Sequence, residues 1–424
     1  MIIFMGDDFI SGFIVGFSPR LCGEVGISGS KNSALPVMAA SLMVRGEVIL
    51  CNIPDISDIW NMAEMLRSLG CTCERDGTVM RIDSSHVSGT ATDYDISSKL
   101  RASFLAAGAL LSMFHRARIS LPGGCTIGQR PVDLHLRGFE ALGAKCENGS
   151  GYIELSAQEL CGNEIYLDFP SVGATQNIMM AACLAEGETV ISNAAAEPEV
   201  EDLGRFLNMC GADVCGAGTD SVRIRGVKRL HGCSYRIISD RIEAGTFMTA
   251  AAATRGKIRL KNVCSAHLKP VVAKLCEMGV EISEDEDAIT VNADGNVHAA
   301  SVRTLPFPGF PTDMQSQFAA LLCVCSGTST VTETVFENRF MYAGELLRMN
   351  ANIRIDGRTA HIDGVDRLCG ANVSAGDLRG GAALVIAGLC AEGITQIDNA
   401  DYIYRGYDSF EEKLQSIGAN IHGV

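Results

Sequence analysis

The chain of 424 residues is 47% hydrophobic and 20% charged, with 17 cysteines and a formal net charge of -15. That much apolar sequence supports a large core and two or three domains, and it excludes a disordered chain. The acidic balance excludes general binding to nucleic acid or to an anionic membrane, because both demand a basic surface; anionic ligands must be held by locally placed Arg and Lys.

Residues 1–17 are apolar but carry Asp7 and Asp8, and they lack a basic leader and a small-residue cleavage site, so they do not read as a signal peptide. No apolar run reaches the roughly 18 to 20 residues that a membrane helix needs. The odd cysteine count in a long chain argues against a disulfide scaffold. Cys71/Cys73 and Cys323/Cys325 are spaced C-x-C, no C-x-x-C occurs, and no His pair stands nearby at ligand spacing, so no metal is expected. The cysteines read mainly as buried, reduced thiols. The expectation is a cytoplasmic protein with no membrane insertion, no metal and no cofactor.

One phrase then recurs six times at a spacing of about 70 residues. A small-residue helix ends in a turn, an alternating strand follows, and a second helix runs into Leu-Gly-Ala or a variant of it. The strands are Glu47-Val48-Ile49-Leu50, Ala117-Arg118-Ile119-Ser120-Leu121, Glu188-Thr189-Val190-Ile191, Lys257-Ile258-Arg259-Leu260, Thr328-Ser329-Thr330-Val331 and Ile394-Thr395-Gln396-Ile397. The second helices end at Leu69-Gly70-Cys71, Leu142-Gly143-Ala144, Cys210-Gly211-Ala212, Met278-Gly279-Val280, Met349-Asn350-Ala351 and Ile417-Gly418-Ala419. Gly there supplies a left-handed helix terminator. Met62, Met65, Leu66 and Leu69 recur at helical spacing, so each unit buries a helix face against a strand face. Six such units predict an α/β protein of two domains with three repeats each.

Four kinds of segment are candidates for chemistry. Gly29-Ser30-Lys31-Asn32 precedes a helix over residues 34–42; it lacks the Gly-Lys pair of a Walker A loop and is either an anion site at the helix start or simply a solvated helix start. Residues 121–131 hold three glycines and two prolines around one thiol and read as a long loop presenting Cys125, which is either a functional thiol, its thiolate favoured if Arg130 comes close, or one more inert cysteine among 17. Asp313 follows Pro311-Thr312 at a helix start, where it is either a cap or a general base for a hydroxyl. Arg101, Arg339, Arg379 and Arg405 each sit amid turn or small residues. They either converge on anions in bidentate fashion or act singly as surface salt-bridge partners.

Six motifs in order resemble the enolpyruvyl transferases over about residues 23–418. They are Gly29-Ser30-Lys31-Asn32, the run from Pro122-Gly123-Gly124-Cys125 to Asp133-Leu134-His135, Ser171-Val172-Gly173-Ala174-Thr175, Asp240-Arg241-Ile242-Glu243, Phe310-Pro311-Thr312-Asp313-Met314-Gln315 and Glu337-Asn338-Arg339-Phe340. The resemblance implies two inside-out α/β barrel domains of three repeats, residues 31–238 and residues 1–30 plus 239–424, with the active site in the cleft between them. It implies transfer of the enolpyruvyl group of phosphoenolpyruvate to the 3-hydroxyl of UDP-N-acetylglucosamine, a committed step of peptidoglycan synthesis.

By the same resemblance, Lys31, Asn32, Arg130, Arg339, Arg379 and Arg405 would bind phosphoenolpyruvate. Asn32, Arg101, Arg130, Pro131, Val132, Asp133, Leu134, Phe169, Ser171, Val172, Asp313 and Val335 would contact the UDP-sugar. Cys125 would protonate the methylene carbon of phosphoenolpyruvate and be the target of fosfomycin. Asp313 would take the proton of the sugar hydroxyl, with Lys31 and Arg405 also catalytic. A homo-oligomer is permitted but not required. A 5-enolpyruvylshikimate 3-phosphate synthase-like enzyme would need a second phosphate site and has no use for the Cys125 loop. A non-catalytic UDP-sugar-binding regulatory paralogue would be marked by loss of Cys125, Asp313 or Arg405, and all three are present.

Overall fold

The computed structural model describes residues 12–120 and 132–424. The Cys125 loop, with Arg130 and Pro131, lies outside the described residues.

The sixfold phrase becomes a sixfold unit of structure. Each unit has a buried inner helix, a strand, an outer helix and two further strands. The inner helices are Lys31–Ala40, Ala106–Phe114, Val172–Ala182, Arg241–Ala253, Gln315–Leu322 and Leu378–Cys390. They carry buried residues on every side, such as Ala250, Ala251 and Ala252 in the fourth, because their small side chains allow close helix packing. The first begins at Lys31, three residues before the sequence expectation, with Ser30 at its N-cap position.

The outer helices bury one stripe only. In Ser57–Ser68 that stripe includes Met62, Met65 and Leu66, as their spacing predicts. Each outer helix ends on a left-handed residue: Gly70, Gly143, Gly211, Gly279, Asn350 and Gly418 all have positive φ. Asn at the fifth position is among the few non-glycine types that tolerate this conformation well. At the turn before each first strand, Gly46, Gly187, Gly327 and Gly393 are left-handed, but His115 and Arg255 take that place in the second and fourth units.

The sheets share one strand order. Strand Glu47–Cys51 pairs in parallel with Ser234–Arg236 and antiparallel with Val79–Asp83, which pairs with Thr72–Asp76. The second unit keeps this order around Arg116–Ser120, with an isolated parallel bridge from Ala91 to Arg118 at the edge. The fourth unit takes its parallel edge from Cys22–Gly26, and the sixth takes its middle strand from Gly12–Gly16. The first sheet is thus completed from the third unit, and the fourth and sixth sheets by the N-terminal segment.

Buried apolar residues fall into two clusters, one spanning Ala34 to Ile237 and the other Phe13 to Ile27 with Ile242 to Ile421. Two chain passages run side by side between them. Ser30 N donates to Ile238 O at 2.7 Å and Asp240 N to Ser28 O at 2.9 Å. A Cβ on Gly29 would lie 1.7 Å from the Asn52 carbonyl oxygen, so only glycine fits at this crossing. Among the described residues no helix is long and apolar enough to cross a membrane.

Candidate active site

The start of every unit's inner helical segment reaches one cleft of about 940 Å3. Lys31, Ala102, Val172, Arg241, Asp313 and Arg379 are the lining residues at those six starts. Two of these starts are 3-10 turns, and Ser171, Asp240 and Asp377 already accept from N–H groups at three others, so the helix ends aim at the cleft while side-chain cations supply its positive charge. The fold thus places four of the predicted residues, Lys31, Val172, Asp313 and Arg379, at equivalent places in their repeats.

Two carboxylates organise the cations. Asp58, in the outer helix Ser57–Ser68, is 3% exposed. Its Oδ2 lies 3.2 Å from Lys31 Nζ and its Oδ1 3.0 Å from Arg405 Nε. Asp313 lies 3.0 Å through Oδ1 from Arg339 Nη2 and 3.2 Å through Oδ2 from Arg379 Nη2. Arg339 and Arg379 are each 3% exposed, so they are buried anion partners and not surface salt bridges. Asp313 lies in a short 3-10 turn, Thr312–Met314, and the N-cap position of the helix that follows is taken by Met314. The cap expectation is therefore replaced by a carboxylate held between two guanidinium groups.

Burial pushes the Lys31 ammonium below the ordinary lysine range; Asp58 opposes that, while Arg379 and Arg405 add to it. Arg379 Nε and Nη1 are buried and meet no acceptor at hydrogen-bonding geometry among the described residues. Its guanidinium lies 5.3 Å from the centre of the Tyr407 ring. A buried cation with unused donors in a cleft is a site for a bound oxyanion.

Asn32, Val132, Asp133, Leu134, Phe169, Ser171, Val172 and Val335 line the same cleft. Ser171 caps helix Val172–Ala182, its Oγ accepting from Ala174 N at 3.3 Å. Phe169 is 42% exposed, an apolar face open to a ligand. Val335 N is held by Glu333 Oε1 at 2.8 Å. Lys31, Asn32, Val132, Asp133, Leu134, Phe169, Ser171, Val172, Asp313, Val335, Arg339, Arg379 and Arg405 thus come together from both apolar clusters. Cys125, Arg130 and Pro131 lie outside the described residues, as does the side chain of Arg101.

Three features were missed in the sequence. Asp58 stands two residues into an outer helix, with no motif around it. Glu199 grips Arg241 through both oxygens, at 2.9 and 3.2 Å, across the two clusters. Glu197 lines the same wall and accepts from Phe307 N at 3.3 Å; burial raises its carboxyl, with Arg241 pulling the other way. Acidic residues at a helix start, as at Glu197-Pro198-Glu199, were the only available signal, and ordinary helices show it too.

Among solved structures, the enolpyruvyl transferase NikO from Streptomyces tendae superposes with a TM-score of 0.89 at 25% identity, covering 97% of this chain and 98% of that one. EPSP synthase from Acinetobacter baumannii shares the fold at a TM-score of 0.77 and 18% identity, over 97% of this chain and 99% of that one. The fold is that of the enolpyruvyl transferases. In sequence, a UDP-N-acetylglucosamine 1-carboxyvinyltransferase of Carboxydothermus hydrogenoformans is 54% identical over 97% of this chain and 99% of its own length. One from Caldanaerobacter subterraneus is 53% identical over 97% and 99%. The EPSP synthase (3-phosphoshikimate 1-carboxyvinyltransferase) family matches residues 17–414, and the chain belongs to this family of carboxyvinyltransferases.

Proposed function

We propose that the chain transfers the enolpyruvyl group of phosphoenolpyruvate to the 3-hydroxyl of UDP-N-acetylglucosamine, releasing phosphate, as a committed step toward peptidoglycan in the cytoplasm. The observation that carries this reading is the pair of clamped carboxylates, Asp58 and Asp313, which hold four cations in one cleft. The relatives at 54% and 53% identity choose the acceptor, since both bear the name of the UDP-sugar enzyme.

In this reading the two apolar clusters are two domains, residues 31–238 and residues 1–30 plus 239–424, each an inside-out α/β barrel of three repeats. Lys31, Arg405, Arg339 and Arg379 neutralise the phosphate and carboxylate of phosphoenolpyruvate, with Arg130 joining them from the loop. Asn32, Arg101, Pro131, Val132, Asp133, Leu134, Phe169, Ser171, Val172 and Val335 seat the UDP-sugar. Cys125 gives a proton to the methylene carbon, leaving positive charge on the neighbouring carbon. The sugar oxygen adds there as Asp313 accepts its proton. Loss of a proton from the new methyl group then expels phosphate and restores the double bond. Fixed cations act because they already point to where charge develops. Closure of the cleft aligns the substrates and excludes water. Fosfomycin would alkylate Cys125.

Phosphate release tests the proposal. Purified protein should release phosphate only when both phosphoenolpyruvate and UDP-N-acetylglucosamine are present, and release should collapse in Cys125→Ala. Release with shikimate 3-phosphate in place of the sugar would transfer the assignment to the sister reaction. Folded protein that binds UDP-sugar and releases nothing would be a regulator.

A further inference from the structure

Cys210 and Cys233 bring their sulfur atoms to 3.4 Å, the one thiol–thiol hydrogen-bond contact among the described residues. We propose that they form a redox-modification site, a dithiol that small-molecule disulfides of the glutathione class oxidise to an intramolecular disulfide. The inference is independent of the enzymatic reading.

The surrounding elements already hold the pair together. Cys210 closes the outer helix Pro198–Met209, and Cys233 immediately precedes the strand Ser234–Arg236. Tyr235 Oη donates to Asp202 Oδ1 at 2.6 Å, tying that strand back to that helix. The Phe206 and Tyr235 rings meet edge to face at 5.5 Å, and His231 N donates to Cys210 O at 2.9 Å. Forming a bond of about 2.05 Å therefore asks for side-chain rotation more than backbone movement.

Access and acidity are asymmetric in a useful way. Cys233 is partly exposed, whereas Cys210 is buried. The hydrogen bond shared by the two sulfur atoms lowers the Cys233 thiol and, with burial, raises that of Cys210. Cys233 is therefore the attacking thiolate. It displaces one thiolate from the external disulfide and gives a mixed disulfide. Cys210, losing its proton, then attacks the Cys233 sulfur and expels the second thiolate. Two protein thiols and one external disulfide become one protein disulfide and two small thiols.

The contrast lies with the C-x-C pairs. Burial pushes Cys71 and Cys323 up to about 12 and Cys73 and Cys325 up to about 11. These are packing thiols with little nucleophilic character at neutral pH.

The test equilibrates the full-length protein with oxidised glutathione, blocks free thiols with an alkylating agent, and maps tryptic peptides by mass. The expected product links the Cys233 peptide to the Cys210 peptide with loss of two hydrogens, fragmentation distinguishing Cys210 from Cys215. Oxidised protein should also unfold at a higher temperature than reduced protein, and Cys233→Ser should show no such difference. Recovery of both cysteines alkylated, of Cys233 only as a glutathione adduct, or of either linked to another cysteine in folded protein would overturn the proposal. Should Cys233→Ser fail to fold, Cys210→Ala supplies the same comparison.

Discussion

Asp58 Oδ1 lies 3.0 Å from Arg405 Nε across 347 residues of sequence, while its other oxygen holds Lys31 at 3.2 Å. The helix Ser57–Ser68 belongs to one apolar cluster, and the segment around Arg405 to the other. One buried carboxylate thus draws two cations from opposite walls into the same corner of the cleft. Without it, Lys31 and Arg405 would repel each other in a low-dielectric site. Asp58→Asn should therefore raise the KM for phosphoenolpyruvate and lower kcat/KM by about tenfold or more, as expected when a buried charge partner is removed. Steady-state kinetics at several phosphoenolpyruvate concentrations decide this. An unchanged kcat/KM would mean the cations keep their places without the carboxylate.

Asp313 sits differently, because its two arginines both come from the second cluster and it lies in a turn rather than a helix. If it accepts the sugar proton, Asp313→Asn keeps the size of the side chain and loses the base. The kcat should fall by about 100- to 10,000-fold, the usual range for a general base. UDP-N-acetylglucosamine binding measured by calorimetry should weaken far less. A comparable loss of affinity and of kcat would assign Asp313 to binding alone.

Trp60, the chain's single tryptophan, supplies a reporter on the helix that carries Asp58. Its indole N–H donates to Asp55 Oδ1 at 2.8 Å, and the Arg75 guanidinium lies 5.2 Å from its ring centre. Asp55 N in turn donates to Asp408 Oδ2 at 3.1 Å, a contact to the second cluster's segment. Any change in cleft closure disturbs this chain of contacts. Saturating the protein with UDP-N-acetylglucosamine should change Trp60 emission, and Trp60→Phe should abolish the signal while leaving turnover nearly intact. Emission unmoved by a ligand that calorimetry shows to be bound would place closure elsewhere.

How much of this was legible follows from what each feature depends on. The repeats were readable because a left-handed turn needs Gly or Asn, and Gly70, Gly143, Gly211, Gly279, Asn350 and Gly418 mark it in the sequence itself. Lys31, Asp313 and Arg379 were readable because they sit in motifs at helix starts. Asp58 and Glu199 were not, since their roles depend on partners 27 to 347 residues away. His115 and Arg255 hold left-handed positions that favour glycine, and nothing in a local pattern announces such an exception. Strand exchange was legible only through the resemblance, which joins residues 1–30 to 239–424; that Gly12–Gly16 becomes the strand beside Ile394–Asp398 is a matter of tertiary pairing that no local pattern announces.

At the crossing between the two clusters, Glu243 couples stability to pH. Glu243 is 2% exposed; its Oε1 pairs with Lys413 Nζ at 2.5 Å and its Oε2 accepts from Ser28 N at 2.9 Å. Burial raises its carboxyl from 4.5 to about 7, with Lys413 opposing and Asp240 adding to the rise. The folded protein therefore holds this proton more tightly than the unfolded chain does. The resulting stability is full below pH 4.5 and fades as pH rises toward about 7, beyond which both states are ionised. A shift of this size corresponds to at most about 3 kcal/mol. Subtracting the Tm of Glu243→Gln from that of the wild type should thus give a difference that falls steadily from pH 4.5 to pH 7 and then levels. Glutamine still accepts from Ser28 but cannot titrate, so the variant isolates the carboxyl. A difference that stays flat over this interval and instead shrinks as pH falls below 4.5 would mean that Lys413, and not burial, governs the charge of Glu243.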